Sequence, residues 1–408
     1  MANTAEEHFE QEPPHTAIKH KLFKSVFESC ISISSSFNNK DNEKRKFMYL
    51  DLYAGCGKFK DENLGSPLIA LSCIKNQIEN PKNNIHKITM VLSEQNNQNA
   101  LKLSSNVDNF INENNLSDYI SAQINSDSWE SCTGHCSQVL NTTQWGIIFA
   151  DPFSVELKLP DLIKLISQNI YFKDILILIN TNAHERILGR DDDDSLQKIS
   201  DYFGIELKML RMLKKQVKDV EKLNNAVVVR RLIKRAFRNI NKDFIINLAI
   251  TRSREGELEN ADRFYLCLIT SSVGVANAYL DTYSNLLNEK AEKKADGQRS
   301  LFDDCEEIIY FELSKKIKEI VLNKKLSLLK LISNLFNDFY SWKNASSTEI
   351  PTTKNIQKAI NLLVEQKCLK ILCDNETKDK YLNKTGEKLT SKVFQNKKNL
   401  KKIYVESL

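Results

Sequence analysis

Phe47-Met48-Tyr49-Leu50-Asp51-Leu52-Tyr53-Ala54-Gly55-Cys56-Gly57 is the stretch on which the reading of this chain turns. An apolar run this short, with no alternation of polar residues, marks a strand covered on both faces, as in a parallel sheet. Two glycines one residue apart follow it. They let the backbone turn tightly and let a ligand approach with no Cβ in the way. After a polar loop, Lys58 to Leu64, comes Gly65-Ser66-Pro67, where Ser66 is expected as the N-cap and Pro67 as the first residue of a helix.

Outward from this stretch the same grammar repeats. Apolar positions at helical spacing from His15 to Phe37 predict a helix before the first strand. Further apolar runs lie at Ile88 to Leu92, Tyr119 to Ile124, Gly146 to Ala150 and Ile175 to Ile179, with helical stretches between them at Pro67 to Ile78, Asn97 to Ile111 and Pro160 to Ser167. Strict alternation of strand and helix predicts right-handed crossovers and a doubly wound, Rossmann-like α/β sheet. Phe244 to Thr251 and Arg263 to Thr270 are then joined by a polar connection alone and should pair as an antiparallel hairpin. A parallel sheet ending in such a hairpin is the methyltransferase variant of this fold, whereas plain dinucleotide-binding domains continue in parallel.

A helix from Val273 to Lys293 should close that domain, and Ala295 to Asp304 reads as a linker. Helices are expected at Ile308 to Leu322, at Ser327 to Lys343 and, capped by Thr352-Thr353, at Lys354 to Lys367. Leu369 to Cys373, a polar turn at Asp374 to Lys380, and Tyr381-Leu382 should form a small β-wing. This is the winged-helix order. The expected organisation is a helical extension over 1–46, the α/β domain over 47–294 with a basic insertion at about 191–243, and a winged-helix-like α-helical module over 305–408.

Ligands of doubly wound sheets bind outside the carboxyl ends of the strands, and four such ends carry suitable groups. At the first, Asp51 can accept from the ammonium of an amino-acid-like ligand, with Tyr53, Ala54, Gly55 and Gly57 forming the loop around it. At the second, Glu94 can take both ribose hydroxyls of an adenosine. It lies farther past Gly57 than the usual interval of about 20 residues, and the loop Lys58 to Leu64 accounts for the excess. At the third, Asp127 can accept from an adenine amino group or serve as a turn residue. At the fourth, Asp151-Pro152-Phe153 should face the reacting group: Asp151 as acceptor for a nucleophile, Pro152 as a rigid turn, Phe153 as a flat face. Amino-group methyltransferases carry Asp/Asn-Pro-Pro-aromatic here, one proline more than this chain. Four groups at successive strand ends point to S-adenosylmethionine as cofactor and methyl transfer as reaction. A nicotinamide-dependent oxidoreductase would need a third fingerprint glycine and a parallel finish.

Lys19-His20, Tyr49 to Gly57, Gly65-Ser66-Pro67-Leu68-Ile69-Ala70-Leu71 and Phe149-Ala150-Asp151-Pro152-Phe153 together resemble the three-Cys-motif partner protein family. These are bacterial methyltransferase-like proteins often encoded beside a three-cysteine radical enzyme. The resemblance covers about Thr16 to Tyr283 and departs from the family at Ser154 and at the basic insertion. It implies an S-adenosylmethionine fold, a neighbour-encoded radical-type partner and a C-terminal helical module. It also implies an alternative in which the chain is a catalytically weak scaffold subunit of a bacterial defence-type system against phage.

Charge bears on the acceptor. The net charge of +5 says little by itself in 408 residues, but Leu207 to Arg238 holds eleven Lys or Arg against Asp219 and Glu221. Clustering of this kind suits phosphate contacts; a solvated face balanced by Asp191 to Asp194 is the other reading. Lys214, Lys215, Lys218, Arg230 and Arg231, with Lys354 and Lys358 of the C-terminal module, are the candidate nucleic-acid contacts. Nine dispersed cysteines, several within apolar runs, suggest reduced thiols in the cytoplasm. Cys132-x-x-His135-Cys136 has no partner pair at zinc spacing, so no metal is expected. No apolar run reaches membrane-spanning length, and no membrane association is expected.

Overall fold

The computed structural model describes residues 13–36, 45–152, 157–167, 173–190, 192–221, 225–240, 242–250, 264–294, 305–337, 351–373, 381–382, 388–395 and 397–407. The chain forms two units, Met1–Ser271 and Ser272–Leu408.

The first unit is built on a seven-stranded sheet. Its strands are β1 (Arg45–Asp51), β2 (Ile85–Ser93), β3 (Ile120–Asn125), β4 (Trp145–Ala150), β5 (Lys173–Ile179), β6 (Phe244–Ile250) and β7 (Phe264–Thr270), in the order β3-β2-β1-β4-β5-β7-β6. The helices are α1 (Pro14–Ser36), α2 (Ser66–Ile78), α3 (Asn97–Glu113), α4 (Thr133–Thr142), α5 (Leu159–Ile166), α6 (Thr181–Arg190), α7 (Asp193–Phe203), α8 (Leu207–Glu221) and α9 (Asn225–Ala236). Pairing is parallel from β3 to β5 and antiparallel on both sides of β7. The expected hairpin therefore forms, but β7 inserts between β5 and β6. Sequence order alone had no means of placing it there, because β7 and β6 are both apolar on both faces.

Strand order reverses at β1: the chain runs outward through β2 and β3, then returns to the other side of β1 with β4. Such a switch point opens a crevice at the carboxyl edge of the sheet. Asp51 faces Leu92 on one side and Phe149 on the other in register. Neighbouring strands lie about 4.8 Å apart, so the backbones of β2 and β4, which Glu94 and Asp151 directly follow, run roughly 10 Å apart across β1.

Helix α1 packs over this centre. Phe23 lies 4.6 Å from Phe149 and 5.8 Å from Tyr49, ring centre to ring centre, and Phe27 packs edge-on to Tyr49 at 5.3 Å. All four rings are fully buried, and burial of that apolar surface is what anchors the helix. Of the expected 1–46 extension, α1 is thus part of the sheet's cover, while 1–12 and 37–44 lie outside the described residues.

The second unit holds α10 (Val273–Lys294), α11 (Cys305–Val321), β8 (Lys325–Ser327), α12 (Leu328–Asn337), α13 (Thr353–Glu365), β9 (Leu369–Leu372) and β10 (Tyr404–Ser407). Thr352 caps α13 by accepting from Asn355 N. The strands form an antiparallel sheet ordered β8-β10-β9. The expected pairing of Leu369–Cys373 with Tyr381-Leu382 is replaced: β9 pairs with the C-terminal strand, and Leu382 bridges to Leu389. The turn at 374–380 and the linker at 295–304 lie outside the described residues, as do 338–343 of the helix expected to end there. Lys325–Ser327 is strand, so that helix begins at Leu328. Lys367 falls past the end of α13 with a positive φ of 54°, off the helical face expected for it. No helix among the described residues is long and apolar enough to cross a membrane.

Gly146 lets β4 lie against β1. A Cβ there would meet Met48 Cγ at 2.2 Å and the Met48 carbonyl oxygen at 2.5 Å. Because the obstacle includes backbone, the strand itself must move. Gly146→Ala should lower the free energy of unfolding of this unit by about 2–4 kcal/mol in urea titration, with little change in the slope.

Candidate active site

A buried carboxylate organises the carboxyl edge of β1. Asp51 has no exposed surface. Its Oδ2 accepts from Tyr49 Oη at 2.6 Å and Ser66 Oγ at 2.7 Å, and its Oδ1 from Tyr53 N at 3.2 Å. Ser66 is therefore not the N-cap. Gly65 takes that place with no side-chain cap, Ser66 is the first helical residue, and Pro67 follows it. The serine hydroxyl goes to Asp51 because a buried carboxylate lacking donors costs far more than an uncapped helix turn. Burial still pushes Asp51 up to about 6, against the three donors, with a small further push from Asp151.

The loop after Asp51 is held at several points. Gly55 and Gly57 have φ of 62° and 81°, left-handed values that glycine adopts without strain. Gly65 N donates to Gly57 O at 2.8 Å, Ala54 N to Ser93 O at 2.8 Å, and Asn106 Nδ2 to Cys56 O at 2.9 Å. Trp129, fully buried, donates from Nε1 to Tyr53 Oη at 3.2 Å. Loop, α2 and α3 thus form one rigid cradle.

Glu94 is buried at the end of β2. Its Oε1 accepts from Asn96 N at 2.8 Å, which aims the side chain and leaves Oε2 without a hydrogen bond among the described residues. Asp127 is exposed on the turn after β3, and its carbonyl accepts from Asn125 Nδ2 at 3.3 Å. Asp151 forms an ion pair with Lys19 of α1, both groups largely enclosed. Pro152 is buried, and Phe153 and Ser154 lie outside the described residues. Asp51, Glu94 and Asp151 consequently stand on three adjacent strands, and Lys19 supplies a cation among them.

Lys19 and Tyr49 escaped a reading by strand ends. Lys19 sits in a helix distant in sequence, and only the family-like Lys19-His20 block signalled it. Tyr49 lies within the apolar run of β1, which gives its hydroxyl no local signal. A further feature had no sequence signal. A cavity of about 260 Å³ opens between the start of α5 and helices α6 and α7, lined by Lys158, His184, Ile187, Lys198, Asp201 and Tyr202. His184 is buried, its Nδ1 lies 2.5 Å from Asn180 O just past β5, and its Nε2 has no partner among the described residues. Burial pushes it down to about 4, so at neutral pH the ring is uncharged, Nδ1–H donates to Asn180, and Nε2 is a bare acceptor.

The basic stretch forms two helices. Lys215, on α8, is exposed, but Lys214 donates to Leu188 O at 2.8 Å and Arg230, on α9, to Tyr265 Oη at 3.1 Å. Arg231 is half-buried, and the side chain of Lys218 lies outside the described residues. Arg211 pairs with Asp193, one of the acidic residues expected to balance this face. Part of the charge is thus committed to holding the insertion together. In the second unit Lys354 is exposed and Lys358 half-exposed, one turn apart on α13. Cys132 and Cys136 belong to no cluster of three or more metal-ligating side chains among the described residues.

The chain matches no known family and no curated protein by sequence. Among solved structures, the plantazolicin methyltransferase BamL, determined with a triazolic desmethylPZN analog and SAH, is 11% identical, covering 63% of this chain and 85% of its own, with a TM-score of 0.29. The methyltransferase domain of bacterial CtHen1-C is 9% identical, covering 62% of this chain and 98% of its own, with a TM-score of 0.28. Likeness this faint says nothing of the chain's chemistry, which is read from its own residues.

His184 and Asp51 make opposite contributions to stability in acid. The lowered His184 favours folding above its ordinary value of 6.5, and that contribution fades as pH falls toward 4. The raised Asp51 takes a proton in the folded state below about 6, which adds stability as pH falls toward its ordinary 3.8. The two offset each other in the wild type. In His184→Gln the first is gone, so relative to wild type this variant should gain about 2–3 kcal/mol between pH 7 and pH 4.5, measured by urea unfolding at both.

Proposed function

We propose that the chain is an S-adenosylmethionine-dependent methyltransferase acting on a nucleic acid or a modified base within one. The observation that supports it best is the trio of carboxylates at the switch point, around a glycine cradle, on a sheet with an antiparallel β7. A doubly negative ligand would be repelled there; one bearing an ammonium and a sulfonium is suited. Burial raises Asp51, and an ammonium beside it would restore its charge. Glu94 offers its unengaged Oε2 to ribose hydroxyls. Asp127 is open to solvent and within the same edge for an adenine amino group. The residues present therefore fit this cofactor, which when bound supplies an electrophilic methyl on a sulfonium.

The remaining work belongs to the chain. Asp151 holds the acceptor's donor group in line and takes a hydrogen bond from it, while Lys19 fixes the carboxylate's position. Pro152 keeps that turn rigid. Lys158 and Lys198, at the cavity that His184 borders, suit a phosphate of the acceptor. Lys215, Arg231 and the exposed α8 cations extend that surface. The second unit, read as a winged helix, would add Lys354 and Lys358 to backbone contacts.

A second reading is favoured by the Lys19–Asp151 ion pair, which occupies the carboxylate that a nucleophile would need. In it the chain is a scaffold subunit of the three-Cys-motif partner type, working with a neighbour-encoded radical enzyme in a bacterial defence-type system.

S-adenosylhomocysteine should raise the melting temperature of the purified chain, since a ligand of the native state alone stabilises by mass action. Glu94→Ala should weaken binding by about 1–3 kcal/mol in calorimetry. Asp151→Ala should abolish transfer to nucleic acid while cofactor affinity stays within a few-fold. No binding, or a preference for NAD, ends the methyltransferase reading; loss of binding and transfer together would make Asp151 a cofactor ligand.

Nucleic-acid affinity should fall steeply with salt, each phosphate contact adding roughly 0.7–0.9 to the log–log slope. Charge reversal at Lys215 should flatten the slope without altering cofactor binding, as read in mobility shifts. Absent binding at low salt, with stable co-purification of a neighbour-encoded protein, favours the scaffold.

A further inference from the structure

Cys132 and Cys136 stand one helical turn apart at the start of α4, with their sulfurs 3.6 Å from each other. Four residues of helical rise separate their Cα atoms by about 6 Å, inside the span that a disulfide bridges. Cys132 is half-exposed and Cys136 buried. The two thiols are polarised in opposite senses. The Cys136 thiol, helped by Ser93 and Asn125, draws Cys132 below the usual range against the pull of burial; Cys136 is pushed up by its partner and by burial. Cys30, Cys73 and Cys267 are buried and pushed up, mainly by desolvation. A half-exposed thiol of lowered pKa beside a second, protonated thiol is the arrangement of a peroxide-sensitive pair.

The pair also touches the candidate site. Cys132 Sγ lies 3.6 Å from Ser93 Oγ, on the residue before Glu94, and donates to Trp129 O at 3.3 Å. Trp129 in turn holds the Tyr53 hydroxyl at 3.2 Å. Turning Cys132 toward Cys136 would remove both of its present contacts.

We propose that Cys132 and Cys136 are a peroxide-oxidised dithiol site whose closure loosens the strand end that carries Glu94. The Cys132 thiolate attacks one peroxide oxygen, the O–O bond breaks, and sulfenic acid forms with release of hydroxide. Cys136 sulfur then attacks the sulfenic sulfur; its proton and the departing hydroxyl leave as water, and the S–S bond forms. The two cysteines have lost two electrons and the peroxide has gained them. A dithiol reductant returns both thiols by exchange. The effect on ligand binding rests on the cofactor reading above, whereas the disulfide does not.

The test uses the full-length reduced chain, hydrogen peroxide, alkylation of remaining thiols and peptide mass spectrometry. The expected product links Cys132 to Cys136 with loss of two hydrogens, while Cys30, Cys73 and Cys267 are alkylated only after unfolding. Cys136→Ser should stop at a sulfenic acid on Cys132, trapped by dimedone. Calorimetry with S-adenosylhomocysteine should show affinity at least about fivefold lower in the oxidised chain, restored by dithiothreitol, with no such reversible change in Cys136→Ser. Both thiols still free after peroxide, or Cys132 linked elsewhere, overturns the site. A mapped disulfide with unchanged affinity overturns its coupling to Glu94. A mapped disulfide in a chain that binds S-adenosylhomocysteine in neither state supports the dithiol and removes the cofactor reading.

Discussion

The carboxylate of Asp51 sits where water does not reach, and an ionised group in such a place survives only with donors around it. Its three donors come from the same strand, from the following loop and from the first turn of α2. One side chain thus ties together the three elements that form the ligand cradle. Moving any of them would leave a buried acceptor or hydroxyl without its partner, at a cost of about 1–3 kcal/mol each. This is why the loop can be rich in glycine and still be held in one shape: its freedom is removed by Asp51, by the Gly65–Gly57 backbone bond and by the Trp129–Tyr53 contact.

Around that fixed point the electrostatics are uneven. Glu94 and Asp151 flank Asp51 on adjacent strands, so negative charge accumulates at the crevice, and Lys19 offsets part of it. Burial, with a smaller push from Asp151, raises Asp51 to about 6. A cationic ligand relieves this repulsion, which makes binding and the ionisation of Asp51 mutually supporting.

The helices between β5 and β6 form a second layer of control. A single crossover helix would suffice to join those strands; four are present among the described residues, and α6 and α7 together with the start of α5 border the cavity that contains His184. Asp192 caps α7 by accepting from Ser195 N, and Gly204 ends it in a left-handed turn against Pro160. Local sequence signals therefore build the helices. The cavity arises from how they meet, with Tyr202 and Phe203 edging the His184 ring at 4.2 and 5.3 Å.

What the sequence by itself determined was the α/β alternation, the glycine turn, the hairpin finish and the strand ends at which Asp51, Glu94, Asp127 and Asp151 stand. Each of these depends on residues close together in the chain: apolar runs of strand length, caps, and glycines at a turn. Only the tertiary structure decided the insertion of β7 beside β5, the diversion of Ser66 from capping to Asp51, and the pairing of Lys19 with Asp151. It alone decided that Lys214 and Arg230 hold the fold together, and that Cys132 faces both Cys136 and Ser93. Apart from the Cys132–Cys136 contact, these outcomes turn on partners from 15 to 132 residues apart, where a polar or ionic group takes whichever buried donor or acceptor the packed backbone brings within reach, and local preference is outweighed by the cost of leaving that group alone.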